Sequence, residues 1–253
     1  MPYPPPEDAN ATRGRRVLLF HRVRIGEVAA GPDEAMARLH PREQALAARL
    51  QVPKRRHEFL AGRLAARELL VRIWGQEARG LAVLVDEGAC AGAPLVCTEA
   101  GARAWPALAL SISHGAGWAC AGMTFRGQVG IDIERIEPRH PAFVEEAFLP
   151  AELGLWSTVT GRGAEDPVTV TLGWCVKEAL LKLAGVGLRA PLGDYAALAL
   201  RWPEAGEVVP HVAGAGLVLR WAEVETVPLG RVLLALNWSD EEAMAVAWRE
   251  TDI

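Results

Sequence analysis

Cysteine is scarce in this chain. Four residues in 253, Cys90, Cys97, Cys120 and Cys175, leave no C-x-x-C pair. A disulfide scaffold needs a dense framework in a short chain, and a zinc site needs close pairs, so the four thiols are read as reduced. Long apolar runs are missing too. No stretch approaches the ~18 residues of a membrane span. The opening MPYPPPEDANATRGRR holds none of the ~7–15 consecutive apolar residues of a signal peptide, so a cytoplasmic protein without a membrane partner is expected. The third absence is a basic surplus. Lys plus Arg is 27 against 31 Asp plus Glu, a formal net charge of −4. Proteins that live on nucleic-acid phosphates usually show the opposite balance, so no nucleic-acid partner is expected.

What is present is apolar side chain: 51% of the residues are hydrophobic and 23% charged. That is enough to bury a sizeable core, as one large domain or as two halves. Residues 1–16 read as a flexible Pro-rich arm, and Val17 to Val23 as a short strand. A helical stretch opens at Pro32 and is interrupted at Pro41. Pro53 suits the first turn of a helix through residue 74, because its missing N–H is an orphan there anyway. Phe59, Leu60, Leu64, Leu69 and Ile73 recur along it at helical spacing, and Lys54, Arg55, Arg56, Arg63 and Arg67 make its polar side basic.

Gly88 to Pro106 reads as a long loop, followed by strands near 107–112, 118–124 and 128–133. Residues 142–156 turn helical, TGRGAED at 160–166 is an exposed connection, and a helix over 168–183 ends at glycines. Four or five strands fill the remainder. The expected class is α+β, with an N-terminal half over 17–127 and a C-terminal half over 128–253.

Three clusters could carry chemistry. In Val129-Gly130-Ile131-Asp132-Ile133-Glu134, strand alternation puts the apolar residues on one face and Asp132 with Glu134 on the other. Two carboxylates so placed repel unless solvent or a cation lies between them, and Mg²⁺ binds few protein carboxylates plus substrate phosphates. In the second cluster, Trp174 to Lys182, Glu178 and Lys182 stand four apart and stack on one helix face, while Lys177 lies about 100° away. In the third, Ser111-Ile112-Ser113-His114-Gly115, a Ser–His pair closes an apolar strand, where an imidazole can donate to an anionic oxygen.

The order basic helix, S-H, G-I-D-I-E and W-x-x-K-E-x-x-x-K resembles the surfactin-synthetase-activating (Sfp-type) 4′-phosphopantetheinyl transferases over roughly residues 40–200. The best-matched segments are RRHEFLAGR at 55–63, SISH at 111–114, VGIDIE at 129–134 and WCVKEALLK at 174–182. The resemblance implies a pseudo-dimeric fold of two similar α+β halves with a coenzyme A cleft between them, and a monomer. Asp132, Glu134 and Glu178 would hold Mg²⁺, or Mn²⁺ in its place, together with the coenzyme A diphosphate. Ser113 and His114 would lie at the nucleotide, His114 on its 3′-phosphate. Arg56 and Arg63 would gather nucleotide phosphates, and Lys177 and Lys182 would neutralise the diphosphate. One departure stands out: the family often has G-K-P before its S-H, where this chain has Gly92-Ala93-Pro94.

The implied reaction moves the 4′-phosphopantetheine arm of coenzyme A onto a serine of an apo acyl or peptidyl carrier protein and releases 3′,5′-ADP. Glu178 is the first choice for the base that takes the serine proton, Glu134 the second, and Lys182 could assist the leaving group. Two rivals remain. A metal-dependent nuclease would place Glu and Lys two apart on a strand rather than four apart on a helix. A coenzyme A- or carrier-binding module without catalysis would not require all three carboxylates. We expect Asp132→Ala and Glu178→Ala each to abolish transfer in a protein that still folds by circular dichroism. Near wild-type transfer by either would overturn the assignment.

Overall fold

In the computed structural model the described residues are 17–86, 92–105, 108–125, 127–204, 211–213 and 219–249. The N-terminal arm and Cys90 lie outside them. Two compact units emerge, the second beginning at Gln128.

The first unit opens with β1 (Val17–Arg24) and three short helices, α1 (Ile25–Ala30), α2 (Pro32–Ala37) and α3 (Pro41–Ala48), before the long α4 (Pro53–Trp74). Proline stands at the first turn of α2, α3 and α4, where a backbone donor would have no partner. His40 caps α3 in both directions: its Nδ1 accepts from the Arg42 N–H at 3.2 Å, and its own N–H donates to Glu43 Oε2 at 2.9 Å. Then come β2 (Leu81–Val85), β3 (Pro94–Thr98), β4 (Ala109–Gly115) and β5 (Trp118–Thr124).

β4 and β5 form an antiparallel hairpin, and β1 pairs antiparallel with β5, Leu19 opposite Met123. A short strand from far along the chain, β8 (His211–Ala213), adds to β1 in parallel and so belongs with this unit. The α4 helix lies on this sheet and buries Leu60, Leu64, Leu69, Leu70 and Trp74. Where α4 meets β4 it carries Gly62, whose absent Cβ would stand 2.9 Å from the Ile112 side chain.

The second unit begins with β6 (Gln128–Arg135), followed by α5 (Pro141–Ala147), α6 (Pro150–Thr160) and α7 (Pro167–Ala184). The chain then lays down β7 (Ala196–Arg201), β9 (Arg220–Val227), β10 (Gly230–Trp238) and β11 (Glu242–Arg249). The sheet order is β6-β11-β10-β9-β7, antiparallel throughout. The long α7 packs on β6 and β11, and its buried face joins Val224, Val232, Leu234 and Leu236 in one core. Gly185, in the left-handed region at φ 72°, ends the helix and donates its N–H to Leu181 and Lys182 carbonyls.

The α+β class, the strands near the middle and the helix ending at Gly185 are as the sequence suggests. Two stretches differ. The expected loop from Gly88 to Pro106 contains β3, whose apolar Leu95, Val96 and Cys97 pair with β2 in a hairpin. The expected helix over 142–156 is two helices, because Phe148 turns extended before Pro150. Cys97, Cys120 and Cys175 are buried free thiols. No helix among the described residues is long and apolar enough to cross a membrane.

Each unit fixes its long helix with the same device. In the first, Glu43 of α3 accepts the Val83 N–H of β2 at 3.2 Å and pairs with Arg67 of α4 at 3.4 Å; Arg67 also donates to the Leu81 and Ala78 carbonyls. In the second, Glu152 of α6 accepts the Ala197 N–H of β7 at 3.2 Å and pairs with Lys177 of α7 at 2.9 Å; Lys177 also donates to the Leu192 and Tyr195 carbonyls. Every carboxylate and cation in these clusters is buried and hydrogen-bonded, the condition under which buried charge is tolerable.

A close helix-to-strand approach is at Gly130 of β6. A Cβ there would sit 1.9 Å from the Ala179 carbonyl oxygen and 2.6 Å from the Leu183 nitrogen, both backbone atoms of α7. Neither can swing aside as a side-chain tip would. We expect Gly130→Ala to cost about 3 kcal/mol or more in urea-unfolding stability, the upper end for overpacking. Full stability in that variant would show that α7 can ride up on β6 at little cost.

Candidate active site

Gly130, Asp132 and Glu134 alternate onto the one face of β6 that α7 covers. The close contact at Gly130 therefore brings the next two residues of that face under the polar turn of α7. Lys182 reaches across and donates to Asp132 Oδ1 at 2.7 Å and to the Ile131 carbonyl at 3.0 Å. Its ammonium is 3.8 Å from Glu178 Oε2, one helical turn back. Arg139, in the segment leading to α5, donates to Glu134 Oε2 at 3.0 Å and lies 3.6 Å from Glu137. Beneath Asp132 lies Cys175, whose thiol donates to the Ala243 carbonyl at 3.3 Å and is pushed well up by burial and by the carboxylates above it.

The electrostatics show three carboxylates in mutual reach. Burial raises Glu134 above the ordinary carboxylate value, Asp132 raises it further, and Arg139 and Lys182 oppose. Burial also raises Glu178; Lys182 opposes, and Asp132 with Glu134 add to the rise. Burial alone would lower the Lys182 ammonium, but Asp132 and Glu178 outweigh it and hold the group above the usual lysine value. Three hard oxygen donors that destabilise one another's charge suit a divalent ion such as Mg²⁺. Among the described residues, however, no three His, Cys, Asp or Glu side chains are gathered closely enough to hold a metal ion by themselves. Substrate oxygens would have to complete such a site.

Other expected site residues fall into two groups. Arg56 and Arg63 stand two turns apart on one face of α4. Arg63 is 7% exposed, its guanidinium lies over the Phe59 ring at 4.5 Å, and burial lowers its pKa. The Nε atoms of both arginines are buried without a hydrogen-bond partner. His114 ends β4 on the α4 side with its side chain half exposed, 4.0 Å from Glu58, which also faces Lys54 at 3.9 Å.

Ser113 is not beside His114. Alternation along β4 sends it to the opposite sheet face, where it is buried, so it cannot share the imidazole's side of the strand. Lys177 needs a larger correction. Its ammonium is fully buried, and all three of its donors are taken, by Glu152, Leu192 and Tyr195. Lys177 fastens α7 and is not available to a diphosphate.

Sequence reasoning missed Arg139 and Glu152, which no local spacing singles out. It also missed an internal repeat that was there to be read. Arg67-Glu68-Leu69-Leu70-Val71-Arg72 on α4 matches Lys177-Glu178-Ala179-Leu180-Leu181-Lys182 on α7 in order, and Arg67 anchors its helix as Lys177 does. In the first unit Glu68 pairs with Arg38 at 2.6 Å, and Arg72 meets His21 of β1 at 3.3 Å.

Two comparisons with known proteins bear on the chain. Residues 128–236 match the profile of the 4′-phosphopantetheinyl transferase superfamily, a span that includes all three carboxylates and Lys182. The chain is also 24% identical over 164 residues to a protein of Bacillus subtilis described as a 4′-phosphopantetheinyl transferase, covering 64% of this chain and 67% of that one. These matches make the chain similar to the 4′-phosphopantetheinyl transferase superfamily, the profile covering its second unit from residue 128 to 236.

The structural assignment of Lys177 can be tested apart from catalysis. Lys177→Met strands a buried Glu152 and is expected to lose about 3–5 kcal/mol, whereas the double variant with Glu152→Gln recovers part of that loss. Both folded variants should bind coenzyme A with wild-type affinity in calorimetry. A selective loss of that affinity would return Lys177 to the binding site.

Proposed function

We propose that this protein transfers the 4′-phosphopantetheine arm of coenzyme A to a serine of an apo acyl or peptidyl carrier protein, with Mg²⁺ or Mn²⁺, releasing 3′,5′-ADP. The observation that carries the reading is the approach of Lys182 to Asp132 at 2.7 Å, which joins the two motifs 50 residues apart. Asp132, Glu134 and Glu178 would hold the ion. When bound, it would neutralise diphosphate charge and polarise the phosphorus under attack.

The chain's own groups supply the rest. Glu178, made more basic by burial and by its acidic neighbours, is suited to take the serine proton. Lys182, held protonated, is suited to stabilise the oxygen that leaves with 3′,5′-ADP. Arg63 and Arg56 have buried donor capacity without a partner and would receive nucleotide phosphate, and His114 would add a donor at the end of β4. The phosphate contact that the family often takes from a lysine in its G-K-P loop is missing at Ala93, and the two arginines offset its loss. Chemistry of this kind depends on positioning and charge neutralisation, which such a set provides.

For the carrier, the groove beside the site is the fitting surface. It has a volume of about 480 Å³, with Val144, Phe148, Leu153 and Val170 as an apolar floor. Its rim includes Arg139, the residue that holds Glu134, so a carrier seated there would bring its serine beside the carboxylates.

Mass spectrometry of a panel of apo carriers incubated with coenzyme A and Mg²⁺ should show the gain of one phosphopantetheine on at least one of them. No gain on any carrier would overturn the reading. Val144→Asp should raise the carrier KM about tenfold or more and leave coenzyme A affinity unchanged, as expected when charge enters an apolar contact.

A further inference from the structure

Each of the three carboxylates already faces a cation of the protein's own, Glu178 through Lys182 at 3.8 Å. Lys182 occupies Asp132 at 2.7 Å, and the Arg139 guanidinium occupies Glu134 at 3.0 Å. Arg139 has further contacts. Its side chain is 21% exposed, a second nitrogen faces Glu137 at 3.6 Å, and its charge lies 5.9 Å from the Phe143 ring. Phe143 in turn packs edge-on against Trp174 of α7 at 4.8 Å, one turn before Glu178. A divalent ion approaching this cluster alone meets two fixed positive charges, one within a few ångströms of each β6 carboxylate. At such range a unit charge changes ion affinity by an order of magnitude or more, even in a partly solvated setting.

We propose that Arg139 is a positioning residue that acts as a resident counter-cation for Glu134, so that the divalent ion binds with the coenzyme A diphosphate and not ahead of it. The diphosphate brings the negative charge that the two resident cations withhold from a lone ion. Arg139 also keeps one Glu134 oxygen engaged, which leaves the other for the ion–diphosphate pair. This inference rests on the transferase reading above for the identity of the anion, and on the ion pairs alone for the role of Arg139.

The test is Mn²⁺ titration followed by electron paramagnetic resonance, on the full chain, with three additions: none, coenzyme A, and 3′,5′-ADP, which lacks the diphosphate bridge. Wild type should bind Mn²⁺ at least tenfold more tightly with coenzyme A than alone, and 3′,5′-ADP should give little of that gain. Arg139→Gln should bind Mn²⁺ alone about tenfold more tightly than wild type and lose most of the coupling, whereas Arg139→Lys should behave like wild type. Equal Mn²⁺ affinity of wild type with and without coenzyme A would overturn the proposal. So would unchanged or weaker Mn²⁺ binding by Arg139→Gln. Absence of coenzyme A binding in calorimetry would overturn the transferase reading instead, and the Mn²⁺-alone comparison of the three proteins would still decide what Arg139 does.

Discussion

One contact sets the geometry of the candidate site: α7 lies so close to β6 that the strand must carry glycine at 130. A side chain at that point would lift the helix away from the strand. Two residues further along, Asp132 would then lose Lys182, and Glu178 would move out of range of both β6 carboxylates. The glycine at the front of the G-I-D-I-E motif is therefore a spacing element. It carries no chemistry of its own, yet it decides whether the acidic strand and the Lys-Glu helix can act as one cluster.

The second constraint is buried charge. The Lys177–Glu152 pair adds little net stability as charge pairs go, since desolvation of both ions offsets much of their attraction. What it fixes is rotation. With its ammonium bound to α6 and to the two carbonyls before β7, Lys177 pins the turn of α7 that also presents Glu178. Adjacent residues on the helix thus divide the labour, one facing inward to hold and the next facing β6.

Much of this was legible in the sequence. Strand alternation alone put Asp132 and Glu134 together, and the i, i+4 spacing put Glu178 over Lys182. Proline at the helix starts and glycine at 185 marked boundaries that the structure keeps. The errors have different origins. Lys177 reads as a site lysine because it matches a motif lysine of the family the chain resembles, while its partners, Glu152, Leu192 and Tyr195, lie 25, 15 and 18 residues away, beyond any local pattern. Ser113 was taken with His114 although alternation separates them. The β2–β3 hairpin hid behind the glycines and prolines around it, since its stability comes from tertiary burial of Val83 and Val96.

The repeated anchoring device has a consequence for how such a chain can change. The buried Glu43–Arg67 pair fastens α4 from inside, and Glu68 and Arg72 on its surface turn add ties to Arg38 at the end of α2 and His21 of β1. Around that turn stand Arg38, Glu68 and Arg72, where the second unit gathers Asp132, Glu134 and Glu178 about Lys182, so the first is basic on balance and the second acidic. A frame that is secured from inside can thus exchange the sign of its outer turn and keep its shape. Two helix turns fastened by the same kind of buried pair can present opposite charge within a single polypeptide.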